Sequence, residues 1–175
     1  DLFGSEKDPH LGLYGAFGYD LALQFEPVQQ RLARDSSSRD LVLYLPDEIL
    51  VVDHRREMAT RRLYRFEIDG ETTKERSGGG ESHALAAPAE ITSGSDHSPG
   101  AYAENVRSAR EAFRRGDLFE VVLSQTFRES AAATPCEIFQ RLQQRNPSPY
   151  GFLINLGEEE HLVGASPEMY VRVEG

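Results

Sequence analysis

Three groups of residues carry side chains whose types and positions could do chemistry. Glu168 follows Ser166-Pro167 at the end of the apolar run H-L-V-G-A-S-P-E-M, His161 to Met169. Proline cannot donate to a strand ladder, so the run ends or bulges there. A carboxylate just past such a break is held by stiff backbone and aimed away from the pairing, which is how an acid is presented to a ligand. The competing reading is a surface carboxylate at a strand end. Glu120 lies inside L-F-E-V-V-L-S-Q, Leu118 to Gln125. A carboxylate in such a run is costly if buried without a partner and unremarkable if its face is solvated. Asn146-Pro147-Ser148-Pro149-Tyr150 restricts the backbone twice within three residues, giving either a preorganised pocket wall that exposes Tyr150 or a plain turn.

Other chemistries find little support. The five histidines, His10, His54, His83, His97 and His161, are scattered without metal-ligand spacing. A single cysteine, Cys136, leaves no internal disulfide and no cysteine-based zinc site. The glycines of L-G-L-Y-G-A-F-G-Y, Leu11 to Tyr19, are spaced G-x-x-G-x-x-G, unlike the dinucleotide pattern. Gly78 to Gly80 lacks the lysine-serine pair of a phosphate loop. A formal net charge of −10 disfavours nucleic acid as a partner and is met by a solvated acidic surface. No apolar run approaches the ~20 residues of a membrane span, and no signal-peptide pattern opens the chain. No membrane partner is expected, and a cytoplasmic setting is the default.

The elements that must position these residues fall into two halves, within an ordinary globular composition of 175 residues, 39% hydrophobic and 27% charged. Residues 1–70 read as strand-rich. Leu11 to Tyr19 is interrupted by glycines that mark a bulge or a close backbone approach. Leu41 to Leu45, Ile49 to Asp53 and Arg62 to Ile68 read as strands of a mixed sheet meander. Residues 71–98 form a linker, because Lys74 to Gly80 and Ser93 to Asp96 cannot bury much apolar surface. Order resumes at 99–175. Ser98-Pro99 reads as a helix start, with Tyr102, Val106, Ala109 and Phe113 at helical spacing and Gly116 at its end. Leu118 to Phe127 alternates like a strand, Phe119, Val121, Leu123, Gln125 and Phe127 on one side and Glu120, Val122, Ser124 and Thr126 on the other. Thr134-Pro135-Cys136-Glu137 has capping-box form, with a helix to about Gln144. Two apolar runs around Gly157-Glu158-Glu159-Glu160 read as a hairpin. The fold class is α+β. The chain opens without methionine and stops after a strand whose pairing partners are expected outside it, so it reads as a fragment.

G-D-L-F-E-V-V-L-S-Q (Gly116 to Gln125), N-P-S-P-Y (Asn146 to Tyr150) and V-G-A-S-P-E-M (Val163 to Met169) stand in an order and at distances that resemble the start of the chorismate-binding region of anthranilate synthase, the synthase component. G-L-Y-G-A-F-G-Y-D with Gln24 to Pro27, then R-D-L-V-L-Y-L-P-D-E-I-L-V-V-D, is similar to the companion N-terminal region. The likeness covers nearly everything outside residues 70–100 and is nearest to the bacterial form fused to a glutamine amidotransferase.

The resemblance implies a lyase of tryptophan biosynthesis and a partial sandwich of mostly antiparallel sheets with packed helices. Ammonia released by the amidotransferase adds to the chorismate ring while the ring hydroxyl departs; pyruvate is then eliminated and the ring becomes aromatic. Hydroxide leaves badly, so a positioned acid must protonate it, and Glu168 occupies that position in the family pattern. Glu120, Ser124 and Gln125 are the substrate-pocket candidates. Pro149, Tyr150 and Gly151 correspond to the site for the inhibitor tryptophan. Magnesium is the implied cofactor, with its glutamate ligands and a catalytic histidine expected beyond residue 175. Two positions depart from the pattern. Glu120 stands where water-adding relatives carry a lysine base and anthranilate synthases commonly carry glutamine; Gly151 stands where many members carry methionine. Aminodeoxychorismate, isochorismate and salicylate synthases are the enzymatic alternatives, and an amino-acid-sensing module without catalysis is the other class.

Overall fold

Gly15 decides how the first ladder forms. Strand β1 (Tyr14–Phe17) pairs antiparallel with β2 (Leu41–Tyr44), with Gly15 opposite Leu43. A Cβ at Gly15 would lie 1.9 Å from the Val42 carbonyl oxygen, so only glycine permits this approach. A 3-10 helix (Tyr19–Gln24) follows, which the glycine pattern did not announce. The computed structural model describes residues 8–29, 38–74, 93–169 and 171–173. By their contacts the residues divide into two units: Asp1–His83 with Ile154–Leu162, and Ala84–Leu153 with Val163–Gly175.

In the first unit, β3 (Glu48–Asp53) pairs antiparallel with β4 (Met58–Leu63), and the exposure of β3 alternates along its length. The ladder is closed by the Tyr64 N–H donating to the Asp47 carbonyl. This corrects the expectation of one strand over Arg62 to Ile68. A strand pairs only as far as its partner reaches, and Pro46-Asp47 stops β3. The chain restarts in a separate short hairpin, β5 (Glu67–Ile68) with β6 (Glu71–Thr72). The Arg61 guanidinium grips the Glu48 carboxylate across the ladder at 2.6 and 2.9 Å. That hydrogen bond holds the Glu48 carboxyl below the usual carboxylate range.

In the second unit, β7 (Gly94–Ser95) pairs with β8 (Phe127–Arg128). Helix α1 (Ala101–Arg115) lies between them in sequence. Gly100, not Ser98, is its N-cap; the Ser98 carbonyl instead accepts the Ala101 N–H in the preceding turn. Tyr102, Val106 and Ala109 form a half-buried stripe as the spacing implied, while Phe113, expected to share it, is exposed. Gly116, at φ 80°, closes the helix as expected, with its own N–H bonded to Phe113 and that of Asp117 to Ala112. Helix α2 (Pro135–Arg145) carries the full capping box. The hairpin of β9 (Tyr150–Gly157) and β10 (Glu160–Ser166), whose Ile154–Leu162 belong to the first unit, has the expected turn, and β10 stops directly before Pro167.

Leu118 to Phe127 is not a strand along its length; only Phe127 and Arg128 join a ladder. The period of two survives in the exposure, since Leu123 and Gln125 are half-buried while Val122, Ser124 and Thr126 are exposed. A strand needs an adjacent edge, and β7 offers two residues of one. Among the described residues the sheets are two-stranded pairs rather than a mixed meander. Helices with several antiparallel ladders make the fold class α+β, as the pattern indicated. Among the described residues none is buried, and Phe119, Val122 and Tyr19 are 95%, 86% and 92% exposed. The 75–92 stretch of the expected linker lies outside the described residues. Ser93 to Asp96, read as linker, carries β7 instead.

Candidate functional site

Glu168 sits one residue past the proline that ends β10, as the sequence placed it. Ser166 builds the support: its Oγ accepts the Glu168 N–H at 3.3 Å and donates to the Glu168 carbonyl at 2.9 Å. Both main-chain groups of Glu168 are thereby tied to one side chain, and the Pro167 ring fixes the residue between them. The residue is exposed, and its carboxylate has no hydrogen-bond or ion-pair partner among the described residues. A rigid backbone with an uncommitted carboxyl can offer a proton or accept one from a molecule that approaches it.

The Asn146 to Tyr150 loop comes beside this acid. The Tyr150 hydroxyl contacts the Met169 sulfur at 3.8 Å, so the tyrosine that opens β9 meets the residue following Glu168. Pro149 is exposed. Gly151 packs under α2, where a Cβ would lie 3.2 Å from both Phe139 Cε2 and Cζ. Phe139 thus takes the space that a side chain at 151 would enter. In β10, Gly164 plays the same part for Phe152, whose ring would be 2.2 Å from a Cβ there.

The remaining candidates sit on the extended segment before β8. Glu120 and Ser124 are exposed, and no hydrogen bond joins either of them, or Gln125, to Glu168 among the described residues. Gln125 is tied down: its Nε2 donates to Ser95 Oγ at 2.8 Å. Beside it, Asp96 Oδ1 accepts the Thr126 N–H at 3.0 Å, and the Asp96 N–H donates to the Thr126 carbonyl at 3.1 Å. His97 Nδ1 lies 2.6 Å from the same Asp96 oxygen. The hydrogen bond from His97, then that from Thr126, holds the Asp96 carboxyl below the usual carboxylate range. His97 is in turn 3.3 Å from Asn105 Nδ2 and meets Tyr102 edge-on at 6.0 Å. Composition hid this group, because Ser, Gly and Asp in succession read as linker; the signal was Asp96-His97 standing just ahead of a helix.

In the first unit, an open cavity of about 190 Å³ is bordered by Phe17, Arg39, Val42, Leu156, Glu160 and Leu162. Arg39 donates to the Leu156 carbonyl at 2.6 Å and pairs with Glu160. None of the sequence candidates lines it. No group of three or more His, Cys, Asp or Glu able to hold a metal ion occurs among the described residues. No helix among them is long and apolar enough to cross a membrane.

Residues 3–175 match the family of chorismate binding enzymes. The whole chain is 51% identical to a protein named anthranilate synthase from Azospirillum brasilense and spans 24% of its length. Over 94% of the chain it is 34% identical to anthranilate synthase component 1 of Vibrio cholerae, of which 33% is covered. The crystal structure of anthranilate synthase component I from Streptococcus pneumoniae superposes with a TM-score of 0.62, at 24% identity, over 90% of this chain and 38% of that one. The chain therefore spans about a quarter to two-fifths of the proteins it matches.

Proposed function

Because this chain belongs to the chorismate binding enzyme family, we propose that it is part of an anthranilate synthase, converting chorismate and ammonia to anthranilate and pyruvate. The observation that carries this reading is the 51% identity along the entire chain to a protein of that name. The geometry at Glu168 supports it, since the reaction needs an acid at a departing hydroxyl and this uncommitted carboxyl stands on a fixed backbone.

In this proposal ammonia forms a bond to a ring carbon of chorismate as the ring hydroxyl leaves. Glu168 transfers its proton to that hydroxyl, which departs as water. Loss of the pyruvyl group as pyruvate, with a ring proton, then makes the ring aromatic. Tyr150 borders the acid, and Ser124 and Gln125 offer polar contacts to the substrate. Pro149, Tyr150 and Gly151 are the part of the tryptophan-inhibitor site that this chain would supply. The whole enzyme would take ammonia from a glutamine amidotransferase, use magnesium and work in the cytoplasm. The described residues hold no cluster fit for that metal.

The test is product identity in the whole enzyme carrying this chain, supplied with chorismate, ammonium and magnesium. Anthranilate fluorescence should appear with one pyruvate per chorismate consumed. Consumption of chorismate without pyruvate release would place the protein among the aminodeoxychorismate or isochorismate synthases instead. Tryptophan binding without turnover would make it a sensing module.

A further inference from the structure

The segment bearing Glu120, Ser124 and Gln125 has no ladder of its own before Phe127. Yet the residues at its end are fixed to within hydrogen-bonding distance of a short stretch that the chemistry above does not use. Ser95 holds the Gln125 amide, and Asp96 brackets Thr126 through both its main-chain N–H and its carboxylate. The Tyr102 hydroxyl reaches the Leu123 carbonyl at 3.4 Å. His97 is wedged between the Asp96 carboxylate and helix α1, where it meets Asn105 and Tyr102. A chain of contacts therefore runs from a capped helix, through His97 and Asp96, to the backbone beside Gln125.

From this geometry we infer that Asp96 and His97 form a positioning pair that, with Ser95, sets the place of Ser124 and Gln125 for substrate. The inference rests on the proposed reading of these two residues as pocket residues. The physical reason is specific. An unpaired extended segment samples many backbone states, and binding through it carries the cost of ordering it. Asp96 supplies an ionised acceptor for the Thr126 N–H, a stronger hydrogen bond than a neutral one. His97 in turn keeps the carboxylate oriented, as second partners orient groups at functional sites. With Nε2 of Gln125 committed to Ser95, its Oε1 is the atom left to accept from a ligand donor such as a hydroxyl or an ammonium.

Asp96 and Ser95 are positioning residues; neither touches substrate. Their loss should raise the KM for chorismate more than it lowers kcat. In the whole enzyme, Asp96→Ala should raise KM about tenfold, the order expected for one lost charged hydrogen bond. Asp96→Asn, which keeps a neutral acceptor for the Thr126 N–H, should raise KM by clearly less than Asp96→Ala does. Ser95→Ala and Gln125→Ala should each weaken chorismate binding, and their combination should do no more harm than Gln125→Ala alone, because the two act as one unit. Hydrogen exchange of the Thr126 N–H should speed up about tenfold in Asp96→Ala and less in Asp96→Asn. Additive effects of Ser95→Ala and Gln125→Ala, or equal KM for the alanine and asparagine variants, would overturn the inference. An unaltered enzyme that makes no anthranilate would sink the functional reading instead. The positioning claim is then decided by the exchange measurement, where unchanged protection in Asp96→Ala overturns it.

Discussion

Glu168 is the residue on which the proposed chemistry turns. Glu168→Gln keeps the size and most hydrogen bonding of the side chain but removes the transferable proton. General acid catalysis is worth about a hundredfold to ten-thousandfold, so ammonium-dependent anthranilate formation by the whole enzyme should fall by that order. Chorismate affinity should change little, since other contacts carry it. Near-normal turnover in this variant would return Glu168 to a strand-end carboxylate. The Ser166 bonds to the Glu168 backbone explain why the position is so definite. Serine before proline gives the chain a side-chain acceptor where the ladder has just been ended, and the following residue is pinned without any strand neighbour.

Two elements have termini whose chemistry makes measurable demands. In the β9–β10 turn, Glu158 and Glu159 sit at φ 52° and 62°, a left-handed conformation that costs a residue with a Cβ. Positive φ at both central residues suits the two-residue hairpin turn, for which asparagine followed by glycine is the preferred sequence. Replacing Glu158-Glu159 by Asn-Gly should stabilise the hairpin by about 1 kcal/mol, read as slower amide exchange across β9 and β10. Unchanged exchange would show that the turn is not what limits opening. At α2, Glu137 closes the capping box by accepting the Thr134 N–H at 2.8 Å, and this bond lowers its carboxyl below the ordinary 4.5. A depressed carboxyl contributes stability above its unfolded value and loses it as pH falls through the lower folded value. The start of α2 should therefore remain protected at pH 4.5 and open only under more acid conditions. In Glu137→Gln that acid dependence should vanish from the exchange of Thr134, and persistence of the same pH midpoint would refute the assignment. Thr134→Ala should cost the helix about 1 kcal/mol near neutral pH.

At the scale of the molecule, the absence of any buried side chain among the described residues governs behaviour in solution. Phe119, Val122, Leu50 and Leu63 lie 95%, 86%, 64% and 64% exposed, and apolar surface of that kind is covered in a stable catalyst. The purified 175-residue chain should accordingly bind an apolar dye such as ANS and form no anthranilate from chorismate, ammonium and magnesium. Turnover by the chain alone, free of contaminating enzyme, would contradict this. Addition of the remaining part of the enzyme as a separate polypeptide should quench the dye signal.

Local rules determined much of this protein from sequence alone. Thr134-Pro135-Cys136-Glu137 set one helix start, Gly116 set a helix end, and Pro167 set the end of β10 beside Glu168, because each acts through bonds within a few residues. The glycine pattern likewise announced the close approach that Gly15 makes to Val42. Where a partner from elsewhere in the chain decides the outcome, the sequence was silent. Leu118 to Phe127 has the alternation of a strand, yet alternation supplies no edge to bond with, and only its last residue, Phe127, found one, together with Arg128 beyond it. Met58 to Leu63 became a strand because Glu48 to Asp53 lay opposite, and ended where that partner ended. Asp96 and His97 gained their role solely from the arrival of Thr126 and helix α1 beside them. Periodicity records which face of a segment avoids water; hydrogen-bond partners distant in sequence are chosen only when the chain is folded.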